Sequence, residues 1–186
     1  EAVEEVPLLE ALGRVLAEDA VATFDNPPFD RSPLDGYIFA AAGTKGATKE
    51  APAAFTVIGE ECAGDFFAAE VPAGSAVRLM TGAAIPKGCD CVVRQEDVTV
   101  EDGRIFVPYE LHHHENYCFA GEDVRKGTRA VERGTELTAA HLGVLASLGF
   151  GTVKVLRRPR VAIASTGDEL VLPGEPLRPG KIYNSN

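Results

Sequence analysis

Apolar residues recur at helical spacing near the start of the chain, at Leu8, Leu9, Leu12, Val15 and Leu16, with Pro7 suited to a first-turn position. The spacing predicts an amphipathic helix over roughly residues 8 to 18, then a short strand at 20 to 24. Between 25 and 36 the pattern breaks: Pro27, Pro28, Pro33 and Gly36 predict a fixed loop, because proline locks φ and glycine permits a tight turn. Residues 43 to 53 read as a small-residue surface loop. Short apolar runs follow at 55–58, 76–80, 91–93 and 104–107, separated by Gly64-Asp65, Ala73-Gly74, Lys87-Gly88 and Asp102-Gly103. That punctuation predicts a compact β module. Further on, Thr138 caps a helix carrying Leu142, Leu145 and Leu148, Gly149 stops it, and 152–156 is a strand. The run 160–164 suits a buried parallel strand, with Ser165-Thr166-Gly167-Asp168-Glu169 as the polar turn at its carboxyl end. In open α/β sheets that is where ligands bind. The segment from Pro159 is shorter than the roughly 30 residues of a strand–helix–strand unit. The expectation is a fragment whose third module is truncated and which is catalytically inactive alone.

Composition narrows the function classes. Hydrophobic residues make up 45% of the 186, ordinary for a globular protein, and no apolar run approaches the ~20 residues of a membrane span. Glu1-Ala2-Val3-Glu4-Glu5 carries neither the basic nor the apolar region of a signal peptide. A net charge of −10 opposes binding to a phosphate backbone, so neither nucleic acid nor membrane is an expected partner. Cys62, Cys89, Cys91 and Cys118 are too sparse for a disulfide scaffold, and the Cys89-Asp90-Cys91 spacing is too short for a zinc knuckle. They read as free thiols in a reducing cytoplasm.

Several polar positions carry candidate chemistry, each with an ordinary alternative. Asp35, before Gly36, reads as a turn aspartate bonding its own backbone, in a loop whose prolines would hold a site residue rigidly. Thr81-Gly82 is either a strand-ending turn or, with its hydroxyl and backbone N–H groups, an oxyanion concavity. Asp123 reads as a solvated acidic turn. Asp168 and Glu169 are solvated charges or, after a buried strand and a Thr-Gly turn, functional carboxylates. Arg78 and Arg94 are surface cations or bidentate phosphate contacts. His112-His113-His114 does not predict a metal site, because neighbours on an extended backbone alternate faces.

The chain resembles the molybdopterin molybdenumtransferase family (the MoeA and gephyrin E-domain family). The likeness runs through Ala11-Leu12-Gly13-Arg14-Val15-Leu16-Ala17, Ser32-Pro33-Leu34-Asp35-Gly36-Tyr37, Arg78-Leu79-Met80-Thr81-Gly82-Ala83-Ala84-Ile85-Pro86, Gly121-Glu122-Asp123, Ser165-Thr166-Gly167-Asp168-Glu169-Leu170 and Ile182-Tyr183-Asn184. The resemblance implies an α+β, β-rich fold. Residues 1–35 and 116–158 would form an elongated helix and strand module of short bent sheets. Residues 36–115 would be an inserted β module, and 159–186 the start of an α/β, MogA-like module. It implies magnesium-dependent insertion of molybdate into adenylylated molybdopterin with release of AMP, by a cytoplasmic homodimer supplied by a MogA-like adenylyltransferase. It assigns catalysis to Asp35, Thr81, Asp123 and Glu169. Substrate binding falls to Thr81, Gly82, Arg78, Thr166, Gly167 and Asp168, and metal binding to Glu169 and Asp168. Tyr117-Cys118-Phe119-Ala120 departs from the pattern, since the family often carries basic residues there. A scaffolding role on the same fold, and tungstate in place of molybdate, remain open alternatives.

Overall fold

The computed structural model describes residues 2–186; Glu1, first in the acidic N-terminal stretch, lies outside the described residues. The elements are β1 (Val3–Pro7), a 3-10 turn (Leu8–Ala11), β2 (Ala20–Val21), β3 (Gly36–Phe39), β4 (Ala53–Glu61), β5 (Ser75–Leu79), β6 (Cys91–Arg94), β7 (Thr99–Glu101), β8 (Arg104–Val107), β9 (Arg129–Val131), α1 (Ala139–Ser147), β10 (Thr152–Leu156), β11 (Leu170–Val171) and β12 (Ile182–Tyr183). Among the described residues no helix is long and apolar enough to cross a membrane.

A six-stranded sheet in the order β6-β3-β5-β4-β8-β7 occupies the middle of the chain. Alternation along its strands builds two cores, because successive side chains point to opposite faces. Tyr37 and Phe39 of β3, Phe55 of β4, Cys91 and Val93 of β6 and Ile105 of β8 pack on one face. Ile38, Val77, Leu79 and Val92 pack on the other. The first face is centred on Phe39 and Phe55, stacked with centroids 4.2 Å apart. Burial on both faces explains why β3 and most of β6 read as continuous apolar runs. β4 and β5 are consecutive yet parallel. Parallel neighbours need a crossover of a dozen or so residues. Here residues 62–74 supply it without a helix, laying Phe67 and Val71 over the second core.

A separate core gathers the two chain regions flanking the sheet. β1 pairs antiparallel with β10, Val3 opposite Leu156 and Pro7 opposite Thr152, and β2 pairs with β9. Leu8, Ala11, Leu16, Val131, Leu137, Leu145, Val153 and Val155 are buried together there. The buried Arg14 joins strands at one edge, its guanidinium donating to the Leu156 carbonyl at 2.8 Å and pairing with Glu4.

The expected helix over residues 8 to 18 is absent. Only Leu8–Ala11 makes a single 3-10 turn. Gly13 takes a left-handed φ of 69°. The N–H groups that would continue a helix go elsewhere: Leu8 to Gly151, Gly13 to Leu137 and Leu16 to Thr135. Tertiary pairing overrides the helical spacing, leaving Leu9 and Leu12 exposed. The strand expected at 20–24 shortens to Ala20–Val21. The strand expected at 160–164 also does not form. No strand lies beside it among the described residues, and Val161 and Ile163 are each 76% exposed rather than buried.

The second predicted helix is present. The Thr138 hydroxyl accepts the His141 N–H, and His141 Nδ1 accepts the Thr138 N–H at 3.2 Å, a reciprocal cap. Gly149 ends the helix at a φ of 81°. Within it, a Cβ on Gly143 meets no atom within 4 Å, and its φ lies outside the left-handed region. Gly143→Ala is therefore expected to stabilise the fold by about 0.5–1 kcal/mol, since alanine loses less backbone freedom than glycine on entering a helix. The check is a rise in urea midpoint with unchanged slope.

Candidate functional site

The Pro-rich loop, residues 25–36, is held between two segments. On one side Gly82 N–H donates to Ser32 O at 2.8 Å, Ser32 N–H to Ala83 O at 3.0 Å, and Ile85 N–H to Asp30 O at 2.9 Å. On the other, Arg31 and Cys118 exchange backbone bonds at 2.9 and 3.1 Å. Asp123 N–H donates to Asn26 O at 3.1 Å, and the Asp123 carboxylate stands 3.9 Å from the Arg31 guanidinium.

Asp35 and Thr81 meet because of sheet register. β3 and β5 are antiparallel with Gly36 opposite Leu79. Continuing that register past the strand ends sets Asp35 beside Met80 and Thr81. Asp35 Oδ1 accepts the Thr81 N–H at 2.7 Å and its hydroxyl at 2.8 Å. These two bonds, with a smaller contribution from the Arg78 charge, hold the Asp35 carboxyl below its ordinary range. Oδ2 has no partner among the described residues. The result is an exposed carboxylate fixed by one oxygen and presenting the other. Asp35 is thus no self-capping turn residue; its donors lie across the sheet.

At the Thr81-Gly82 turn the Thr81 N–H serves Asp35, the Gly82 N–H serves Ser32, and the Ala83 N–H serves Met80 O at 3.0 Å. With these donors engaged within the chain, the turn presents the second Asp35 oxygen as a hydrogen-bond acceptor or cation ligand. Arg78, on β5, faces Glu60 at 3.5 Å, and Arg94 faces Glu96 at 3.9 Å.

Thr166, Gly167, Asp168 and Glu169 are exposed and bond within their own segment. Leu170 N–H donates to Gly167 O at 3.1 Å, Ile182 N–H to Glu169 O at 2.8 Å, and the Lys181 ammonium reaches the Asp168 carbonyl. Gly167 lies against the Glu169 carboxylate, whose Oε2 is 2.4 Å from where a Cβ would stand. The structure does not join this group to Asp35 and Thr81 by any hydrogen bond or ion pair among the described residues. Nor does any cluster of three or more His, Cys, Asp or Glu side chains there suit a metal ion. Asp168 and Glu169 nonetheless supply the hard oxygen donors that magnesium takes, and magnesium commonly uses only one or two protein carboxylates beside water and phosphate.

Two further groups escaped sequence reasoning. Asp30 accepts the Tyr117 hydroxyl at 2.6 Å and the Ala120 N–H at 2.7 Å, which anchors the 117–120 segment to the loop. Burial first, and then the Asp30 carboxylate, push the Tyr117 phenol up. At this departure from the family pattern the chain has an aromatic cluster: the His114 ring lies tilted against Tyr117 and edge-on to Phe119, with centroids 4.7 and 4.8 Å apart. His113 bonds Asp90 at 2.8 Å, and its ring lies against that of His114 with centroids 3.7 Å apart. The second group is Glu61, buried at the end of β4. Nothing in the sequence around either marks it, since the Asp30 partners lie some ninety residues away and the burial of Glu61 depends on an irregular crossover. All four cysteines are unpaired, and burial pushes the Cys89 thiol up to about 12.

Comparison with known proteins places these features. A model of the MoeA N-terminal region (domain I and II) matches residues 1–149. The chain is 42% identical over 184 residues to a molybdopterin molybdenumtransferase of Haemophilus influenzae, covering 98% of this chain and 44% of that protein. It is 41% identical over 187 residues to one from Bacillus subtilis, with the same coverage of each chain. A crystal structure of a molybdopterin biosynthesis MoeA protein from Pyrococcus horikoshii superposes with a TM-score of 0.86 at 43% identity, covering 94% of this chain and 46% of that one. The chain therefore spans less than half the length of the curated relatives it matches.

Proposed function

Because the chain belongs to the MoeA family, matching its N-terminal region, we propose that the protein of which it is part inserts molybdate into adenylylated molybdopterin and releases AMP. The observation that supports this reading is the Asp35–Thr81 pair, an exposed carboxylate fixed by two donors at the edge of an open surface. Its free oxygen is an acceptor for a hydroxyl or N–H of the pterin nucleotide and orients that ligand without itself contacting molybdate, since like charges repel. Asp123, 3.9 Å from Arg31 of the same Pro-rich loop, is the second carboxylate proposed for the site.

Asp168 and Glu169 are the proposed magnesium ligands, and the ion would offset charge on the phosphoanhydride. Thr166 and Gly167 complete that turn as substrate contacts, and Arg78 and Gly82 flank the first. In this reading residues 1–35 with 116–158, 36–115, and 159–186 act as three modules of a cytoplasmic homodimer. The substrate comes from an adenylyltransferase. Phosphoanhydride cleavage of this kind relies on positioning and charge neutralisation, which suits a face of fixed carboxylates without a protein nucleophile.

The test is AMP release by the full-length protein from adenylylated molybdopterin and magnesium, with and without molybdate. Release should rise with molybdate and be accompanied by molybdenum in the pterin product. Release indifferent to molybdate would reject insertion. Tungstate competing equally would widen the substrate class.

A further inference from the structure

Among the described residues, Glu61 is the one buried side chain whose surroundings contradict its chemistry. It is 2% exposed, and among the described residues neither carboxylate oxygen has a hydrogen-bond partner. It is the last residue of β4, opposite Leu79 in the parallel pairing with β5, and Leu79 is fully buried in the second core. The crossover that closes over it begins at the next residue. Phe67 of that crossover packs on β4, its ring 2.8 Å from where a Cβ on Gly59 would stand. The Phe67 N–H faces the carboxyl and offsets a little of the burial cost. An ionised carboxylate enclosed in this way, with no counter-ion and only the Phe67 N–H turned toward it, is far costlier than a neutral acid.

The charged neighbours give it no cation. The crossover contributes Asp65, whose negative charge opposes ionisation. On β4 itself, Glu60 precedes it. On β5, Arg78 stands opposite Glu60 and pairs with it at 3.5 Å. At the following turn Asp35 is engaged by Thr81. Burial, the largest influence, and then Asp65 both push the Glu61 carboxyl above its ordinary 4.5.

The crossover also builds the surface beside the candidate site. Met80 N–H donates to Glu61 O at 3.2 Å, so the residue is tied by its main chain to the Thr81 turn. A Cβ on Gly82 would stand 3.9 Å from the Ala63 methyl. Gly64, Asp65 and Phe66 form one wall of a cleft of about 270 Å³, with Phe29 of the Pro-rich loop and Ala84 on the other.

We propose that Glu61 is a protonation-controlled latch: as a neutral acid it lets the 62–74 crossover close over the second core, and its ionisation releases the crossover from the Thr81 turn and opens the cleft. The closed form binds the proton more tightly than the open form. The closed-to-open ratio is therefore highest at acid pH. It falls by about tenfold per pH unit from the ordinary glutamate value up to the raised one, and levels off above it.

Two measurements on this chain test the latch. Carbon-13 NMR of carboxyl-labelled glutamate should show the Glu61 side chain titrating above the other glutamates, and Asp65→Asn should bring it down. Amide hydrogen exchange across 62–72, corrected for the intrinsic pH dependence, should show protection falling with pH in the wild type and flat in Glu61→Gln. A Glu61 titration at or below the ordinary range overturns the proposal, and so does an identical pH dependence of protection in both proteins. The wild-type titration decides the matter even if the variant does not fold, and neither readout depends on the reaction proposed above.

Discussion

Gly36→Ala should unfold the central sheet or leave it more than about 3 kcal/mol less stable, the largest loss expected from adding one methyl group to this chain. Gly36 lies in β3 between β5 and β6, opposite Leu79 on one side and Arg94 on the other. A Cβ there would stand 1.9 Å from the Val93 carbonyl oxygen and 2.9 Å from its carbon. Those atoms belong to the backbone of a buried strand and have no rotamer through which to yield. Relief requires β3 and β6 to separate, breaking the ladder between Tyr37, Ile38 and Phe39 and their partners Val93, Val92 and Cys91. Small domains have only about 5–15 kcal/mol of stability in all, so a loss of this size is decisive. Urea unfolding followed by far-ultraviolet circular dichroism should show an early transition or none. Gly143→Ala is the matched control, because it adds the same methyl group with no atom within 4 Å and should move the midpoint the other way. Equal midpoints for Gly36→Ala and the wild type would show that the strands give way cheaply.

The close approach at Gly36 also bears on what the sequence discloses. Where an element's stability is local, the pattern was legible. α1 carries its own cap at Thr138 and its own stop at Gly149, and both are visible as residue types. Four strands of the central sheet, β4, β5, β6 and β8, lie where apolar runs between turn signals placed them, because burial imposes such runs, whereas β3 and β7 were not among the runs read. Where partners are remote, the local signal misled. Leu8, Leu9, Leu12, Val15 and Leu16 have helical spacing, yet the backbone there bonds to residues more than a hundred positions away. β1 went unread because Val3 and Val6 flank two glutamates, and only pairing with β10 makes the segment a strand. The run 160–164 is apolar without a neighbour to pair with. At the candidate site, the residue types were readable and their bonding was not. Asp35 and Thr81 stood out separately, whereas the bond between them is a consequence of sheet register. That bond also engages the donors of Thr81 and leaves one Asp35 oxygen as an acceptor.

The functional weight of that bond is measurable. In the full-length protein, Asp35→Asn should reduce molybdate-dependent AMP release at least about 100-fold, the scale of losing one preorganised electrostatic contact. The fold should persist, because an asparagine oxygen still accepts from the Thr81 N–H and the side chain is exposed. Thr81→Val should cost less, about tenfold, since the backbone donor survives and only the hydroxyl bond is lost. Its diagnostic is pH. The two Thr81 bonds lower the Asp35 carboxyl, so the charged form persists as pH falls until that lowered value is crossed. Removing the hydroxyl moves the value back toward 3.8, and the acid limb of the activity profile should shift upward with it while the neutral plateau is set by geometry alone. The sign is opposite to that of Glu61, whose proton is bound more tightly in the closed structure, so the two carboxyls separate cleanly in one titration. If Asp35→Asn and Thr81→Val both turn over at the wild-type rate with unchanged circular dichroism, the pair holds the turn together and does nothing to the pterin nucleotide.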